Sequence, residues 1–505
     1  MTAVRRSLRA PHRLELALWV LPVVAFLVVR NQHRVPGFSL ELAAGGILGV
    51  GAVIVASRRP DRALLAIVAI VPFQGLISAW LYARGTPLGL VRAAGYWKEA
   101  AVAGVILAAW GTIRATDRRP DRIDIVGLAF IAFVAAYAIA PRLFSAIAPT
   151  DLTVRYVGFR QVAGFAVVAL AARHAPLPAG FLRRLATTAV TVAAATAAVA
   201  VYEMIFSDSW NDFIVDTVQL PRYLEAIEAP LRDPTDVRIY SEIGGREILR
   251  VSSVMVSLSY GFYLLPALGL LVAWLGLPSR ATVTSVGAGL VGAALLMTQT
   301  RSAIVGGVVA VVVIVFGSRQ VHLLSAATRE RMALLLVAAV LIALPAMAAG
   351  GLFDRFQGAA TGEDQAQEQH RGSIDRGFSE MVSHPIGHGL GTTAGTGQRF
   401  GSAVVVADNS YLQIGNEVGV VPMLLFVGFV ASIVRQLRSV ASVDAVGVRA
   451  ALLGTLVGAF FLPAWMDIGV SWTAFALIGV ALAPVVAGPA AHPGGVRPDG
   501  VVTAA

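Results

Sequence analysis

Three kinds of side chain in this sequence combine residue type and spacing suited to chemistry at a membrane surface. The first is arginine where apolar runs meet water: Arg155 and Arg160 within Asp151–Gln161, Arg301 in the short stretch Thr-Gln-Thr-Arg-Ser-Ala, and Arg371 in a later polar segment. A guanidinium keeps its charge and offers a planar fork of donors that fits phosphate oxygens. Snorkelling to the interface, or pairing with a carboxylate, is the structural alternative for each. The second is a polar stripe, Asn409, Gln413 and Asn416, spaced by four and three, with Glu417 one turn beyond Gln413. On a helix that enters a bilayer, such a stripe must face protein or a water-filled cavity, and hydrogen bonding between helices would also account for it. The third is the carboxylate pair Asp408 and Glu417. Asp408 stands at the aqueous edge, where it could serve as general base on a hydroxyl, with Glu417 in reserve. Helix capping by Asp408 or Asn409 competes with that role.

Other groups read as less reactive. Arg371, Asp375, Arg376 and Glu380 share the spacing of one amphipathic helix, in which Arg371 and Asp375 could form an ordinary exposed ion pair. His384 and His388 are four apart, but Pro385 and Gly387 interrupt a helix between them, so no two-histidine metal face is expected there. With no cysteine in the chain, disulfides, thiolate metal sites and cysteine nucleophiles are excluded. Neither metal nor cofactor is called for.

The elements that position these residues are apolar. Of 505 residues 57% are hydrophobic and 14% charged, and the mean hydropathy is +0.73, which a soluble chain of this length would not show. The expected fold is all-α, a polytopic bundle with one membrane domain over 1–488 and about fourteen spans. The runs are 14–29, 42–57, 63–83, 99–113, 123–140, 156–172, 185–205, 251–275, 282–298, 302–317, 332–352, 410–434, 450–465 and 472–488. Connections on the amino-terminal side hold 22 basic residues against 8 in the short connections opposite, so both termini are expected in the cytoplasm. Two long loops, 206–250 and 353–409, then fall outside it, and a Pro-, Gly- and Ala-rich tail, 489–505, is expected to be disordered. The first run lacks a small-x-small cleavage site after it and is read as a retained anchor. All but one of the 40 basic residues are arginine, the exception being Lys98. Those on the cytoplasmic side flank helix ends in short loops, so the lipid bilayer is the expected partner and nucleic acid is not.

Three stretches together resemble the O-antigen ligase and O-antigen polymerase superfamily of bacterial polysaccharide assembly. They are Leu-Leu-Met-Thr-Gln-Thr-Arg-Ser-Ala at 295–303, Arg371 followed by His-Pro-Ile-Gly-His-Gly-Leu-Gly at 384–391, and Asp-Asn-Ser-Tyr-Leu-Gln at 408–413 with Glu417-Val418-Gly419. The resemblance implies a metal-independent, inverting transferase of the bacterial cytoplasmic membrane. It would move a glycan from a polyprenyl-pyrophosphate donor to a saccharide or glycolipid acceptor on the outer face, an external loop capping its cavity. By resemblance, Arg301 and Arg371 match arginines that hold the donor diphosphate, with Arg160 as a further candidate and Arg155 added by its position alone, and Asn409 matches the asparagine of a His-Asn element, with Gln413 beside it. Asp408 stands where the family has its histidine, and Pro422 where it has a small residue, which makes polymerase-like activity a better expectation than ligation. Two other readings are weighed. A flippase or transporter would place its polar groups near the bilayer midplane, whereas here they collect at the external edge. A dolichol-phosphate-type transferase would need acidic residues in the first external loop, and Arg30–Glu41 offers no acidic pair.

Overall fold

The computed structural model describes residues 40–317 and 365–483, apart from short breaks at 117–118, 146–147, 150, 228, 230–232, 244–245, 256–258, 278–280, 394–396, 398 and 406–407. The runs 14–29 and 332–352, the start of the second long loop and the tail 489–505 lie outside the described residues. Along the chain come α1 (Leu40–Arg58), α2 (Pro60–Ile70), α3 (Gln74–Ala83), α4 (Leu88–Ala94), α5 (Trp97–Thr116), α6 (Arg122–Ile139), α7 (Leu152–Val162), α8 (Gly164–His174) and α9 (Phe181–Ile205). The first long loop holds α10 (Ser207–Asp212), α11 (Leu220–Ala226) and a hairpin of β1 (Ile239–Ile243) and β2 (Arg246–Arg250), paired antiparallel with Ile239 opposite Arg250. Then follow α12 (Tyr260–Trp274), α13 (Ala281–Met297), α14 (Arg301–Gly317), α15 (Gln365–Ser383), α16 (Ser410–Val418), α17 (Val420–Leu437), α18 (Val443–Gly458) and α19 (Ile468–Ala481).

The chain is a multi-pass membrane protein, helical but for that hairpin among the described residues. Four helical stretches there are long and apolar enough to cross a bilayer: Pro60–Ala83, Arg122–Ile139, Phe181–Ile205 and Val420–Leu437. A fifth, α7 with α8, is bent by 55° at Ala163. Several apolar runs expected to span are shorter helices, such as Tyr260–Trp274 and Ile468–Ala481, so the expected fourteen spans are only partly matched. The run 251–275 is one reason: near its start Ser253–Met255 forms a separate 3-10 turn, and the α-helix begins only at Tyr260.

Helix starts follow from side-chain capping. Asp121 accepts from the backbone N–H groups of Ile123 (3.0 Å) and Asp124 (3.2 Å), and the Asp124 carboxylate returns the bond to the Asp121 N–H (3.1 Å), a reciprocal box that opens α6. Small residues let helices approach where apolar lipid gives no reason to associate. A Cβ on Gly269 would come 2.6 Å from the Gly447 carbonyl, and one on Gly306 would come 2.7 Å from that of Gly454, so α18 lies hard against both α12 and α14. Between α6, α8, α17 and α19 sits an aromatic core. Phe165 lies 4.7 Å from Phe475 and 5.5 Å from Phe426, and Trp465 is 5.3 Å from Phe475, ring centre to ring centre. This core underlies one end of the bundle and supports the polar groups gathered there.

Candidate active site

The turn from Thr298 to Arg301 begins the site. Gln299 takes a left-handed backbone (φ +50°), and its side chain donates to the Leu249 carbonyl at 3.2 Å. Arg250, the last residue of β2, lies across the turn, its Nη2 donating to Thr300 Oγ1 at 3.0 Å and its Nε to the Thr298 carbonyl at 3.3 Å. The hairpin of the first loop therefore ends on the turn that carries Arg301. On the other side, Ser302 lies against Gly458, where a Cβ would meet the Ser302 carbonyl oxygen at 2.8 Å. The chain after Gly458 then receives the start of α16: Ser410 N–H donates to the Ala459 carbonyl (3.0 Å), Asn409 Nδ2 to that of Phe460 (2.8 Å) and Ser410 Oγ to that of Leu462 (3.0 Å). Arg301 and the Asp408–Asn409 junction are thus held by the same few residues of the α18–α19 connection.

Asp408 is tied to α15. Its backbone N–H donates to Ser373 Oγ at 2.9 Å, and its carboxylate Oδ2 lies 3.5 Å from Nδ1 of His370. The other ring nitrogen of His370, Nε2, is buried without a hydrogen-bond partner among the described residues. A carboxylate on Nδ1 with Nε2 left open is the arrangement in which an imidazole takes a proton while the carboxylate orients it and stabilises the resulting cation. Arg371 follows His370 on the exposed side of the helix. Along its length α15 is fastened to α16, with Asn416 Nδ2 donating to the Gly377 carbonyl at 2.9 Å and Gly415 leaving room for Met381.

At the far end of α15 the chain makes a tight turn and runs back along α16. Gly387 (φ +83°) and Gly389 (φ +109°) have conformations that a side chain would strain. They allow His388 N–H to reach the Asn416 carbonyl (2.7 Å) and Gly389 N–H that of Glu417 (2.8 Å). The Glu417 carboxylate is buried and accepts from Thr393 Oγ1 at 2.6 Å, with the Gly391 and Thr393 N–H groups also bonded to it. His388 is buried too, and Glu380 Oε1 lies 2.9 Å from His384 Nδ1 and 3.0 Å from His388 Nε2. Burial, then the neighbouring His384, hold the His388 imidazole below its ordinary pKa against the pull of Glu380. Around this end Gln413 Oε1 and Nε2, Asn416 Oδ1, Glu417 Oε2 and Trp465 Nε1 are buried with no hydrogen-bond partner among the described residues. Buried polar groups without a partner are uncommon in a folded interior, and each needs a water, ion or ligand to satisfy it.

Residues 286–427 match the family model described as O-antigen ligase. The region similar to O-antigen ligases spans 142 of the 505 residues. No curated protein matches the chain. The matched region takes in Arg301, His370, Arg371, Asp408, Asn409, Gln413 and Glu417, while Arg155, Arg160 and Arg250 precede it.

Several expected site residues, within or before the matched region, have structural work. Asn409 caps α16: its Oδ1 accepts from Tyr411 N–H (2.9 Å) and Leu412 N–H (3.0 Å), so with Nδ2 on Phe460 the amide is occupied. This settles the capping question for Asn409 and leaves Asp408 outside that role. Arg155 donates to the carbonyls of Ala138 and Ile139, closing the end of α6. Arg160 pairs with Glu99 at 3.0 Å, which also lies 3.5 Å from Lys98, a cluster of two cations around one carboxylate. Its helix remains at the site, for Gly158 packs against Leu390 and Gly391. The polar stripe is not on a spanning helix, as expected from 410–434. Gly419 (φ +87°) breaks that run, so Gln413, Asn416 and Glu417 sit on the short α16 and the spanning helix is α17. The Pro385–Gly387 turn also does the reverse of what its sequence suggested, bringing His388 back to His384.

His370 and Arg250 were not singled out from sequence. His370 precedes Arg371 directly, which is the one local hint; Arg250 closes a polar loop with no motif around it. Thr393 is equally silent in sequence, since only the return of the Gly-rich loop shows that its hydroxyl meets Glu417.

Proposed function

We propose that this protein is a glycosyltransferase of the O-antigen polymerase or ligase type. It transfers a glycan from a polyprenyl-pyrophosphate donor to a saccharide acceptor at the outer face of the cytoplasmic membrane, and is closer to a polymerase than to a ligase. The observation that carries this reading is the pairing of His370 with Asp408 inside the region matched to O-antigen ligase. The sequence has aspartate where the family resemblance calls for histidine, and the fold supplies a histidine from α15 beside it.

In this reading Arg301 and Arg371 take the donor diphosphate directly and Arg250 adds charge from the hairpin on the Thr298–Arg301 turn, while Arg160 of α7, held by Glu99, is a further candidate. The acceptor hydroxyl gives its proton to Nε2 of His370, whose Nδ1–H faces the Asp408 carboxylate. The oxygen attacks the anomeric carbon as the bond to the diphosphate oxygen breaks, and the electron pair leaves with the polyprenyl diphosphate. A single displacement inverts the anomeric centre. The arginines stabilise charge that grows on the leaving group, the term that commonly contributes most to such catalysis. The unsatisfied amide of Gln413 and the buried Glu417 would bind sugar hydroxyls. The reaction as written uses no metal at the breaking bond.

Reconstitution in lipid with a labelled polyprenyl-pyrophosphate-linked oligosaccharide tests this. Longer chains on the same lipid are expected; transfer to a different acceptor would instead make it a ligase. A change of sidedness with no new glycosidic bond would overturn the enzyme reading in favour of a flippase.

A further inference from the structure

The end of α15 holds a second constellation that the transfer reaction leaves unused. Glu380 and His384, four apart, project from one face of the helix, since His384 N–H still bonds the Glu380 carbonyl at 2.8 Å. The Pro385–Gly387 turn then swings His388 onto the same face, and the two rings lie 4.6 Å apart between centres. One donor atom from each residue falls within 4.8 Å of the others. His388 is 2% exposed, and its backbone is fixed by the bond to Asn416, so its ring is placed before any ligand arrives. Its Nε2 lies 3.0 Å from Glu380 Oε1. His384 Nδ1 also lies 3.2 Å from Ser383 Oγ. Ligand atoms around a tetrahedral zinc ion at about 2.0–2.1 Å stand roughly 3.3 Å apart, close to the 2.9 and 3.0 Å found here.

We infer that Glu380, His384 and His388 form a site for a first-row divalent cation, zinc by its two-imidazole, one-carboxylate donor set. Three protein ligands leave the fourth position to water, and the exposed side of His384 gives entry from solvent. The ion would clamp the end of α15 to the Gly-rich turn that carries Gly389 to Glu417. It is not at the proposed reacting bond: Glu380 lies ten residues from His370 on one helix, about 15 Å along its axis.

The test uses the full-length protein, purified without a histidine tag, stripped with chelator and titrated with cobalt(II), whose visible absorption reports tetrahedral nitrogen and oxygen ligands. One saturable equivalent per chain is expected, displaced by zinc. His384→Ala, at an exposed position that packing does not depend on, should weaken binding by at least the roughly tenfold that even an outer-sphere partner costs. His388→Ala and Glu380→Gln should do the same. Absence of a saturable equivalent, or cobalt binding unchanged in His384→Ala, would overturn the site. Binding is read without any glycan, so its failure and that of the transferase reading are separate outcomes.

Discussion

At the Asp121 end of α6, Arg173 is buried and both its terminal nitrogens are used. Nη1 reaches Asp121 Oδ1 at 2.9 Å and Asp124 Oδ1 at 2.7 Å, and Nη2 meets Asp121 again and Gln436 at 3.3 Å, while His174 adds a contact to Asp124 at 2.8 Å. At the opposite end, about 27 Å away along the helix, Tyr137 bonds the Ile386 carbonyl, and just beyond it Gln413, Asn416, Glu417 and His388 leave buried polar atoms without hydrogen bonds. Both ends carry charge into an apolar bundle. The first satisfies all four carboxylate oxygens, from Arg173, His174 and backbone N–H groups, and leaves only Arg173 Nε open among the described residues; the second leaves several donors and acceptors open, each of which needs a water, ion or ligand to satisfy it. The two ends are therefore alike in charge and differ in how far it is satisfied, which is the difference the proposed function rests on.

The comparison breaks most sharply at Arg173. Removing it as Arg173→Met strands two carboxylates beside a helix start, a loss of about 3–5 kcal/mol, and the variant should insert poorly or melt far below the wild type in detergent. A melting temperature within a degree or two of wild type would mean that the closed end is not structural. On the open side, Arg301→Ala should cut transfer by about 10²–10³-fold, the loss expected when one charge-stabilising donor goes, with melting unchanged. Arg301→Lys should recover only part of it, because an ammonium lacks the planar fork. Thr393→Val removes the hydroxyl from the buried Glu417 carboxylate and should cost about 1–3 kcal/mol, seen as a modest drop in melting temperature together with weaker acceptor binding. An unchanged melting curve would say that Glu417 needs no partner in the folded state.

The smallest effect is one of pH. The Arg173 hydrogen bonds hold the Asp121 carboxyl down to about 2, below the roughly 3.9 of an unfolded aspartate. Its contribution is thus fully present above about pH 4 and is lost as the pH falls through about 2. Asp121 is partly exposed, so solvent screening keeps the effect small. Wild type should melt above Asp121→Asn at pH 5, and the gap should close toward pH 2; a constant gap would refute the pairing as its cause.

How much of this the sequence disclosed depends on the range over which each feature is encoded. The apolar runs, the arginine after the Thr298–Thr300 turn and the Asp-Asn junction before a helix are local; the last two appear where their residues imply, and of the runs four or five form spans among the described residues. The helix break at Gly419 is local too, yet it hid inside an apolar run, because a glycine followed by Val-Val reads equally well as a continuing span. Partners that meet across the fold were out of reach. His370 finds Asp408 because Ser373 and the Asp408 backbone bond across 35 positions, Arg160 finds Glu99 across 61, and Arg250 arrives on a hairpin whose register nothing in the flanking residues announces. The same limit explains the histidines: Pro385 and Gly387 do end the helix, and only the positive φ of Gly387 shows that the chain turns back.

The transfer rate of reconstituted His370→Ala, measured beside its melting temperature, tests the open end most directly. The account predicts a loss of about 10²–10⁴-fold, the range for a general base, in a protein that melts as wild type does, with Asp408→Asn adding little once His370 is gone. Transfer at the wild-type rate in a folded His370→Ala protein would contradict it.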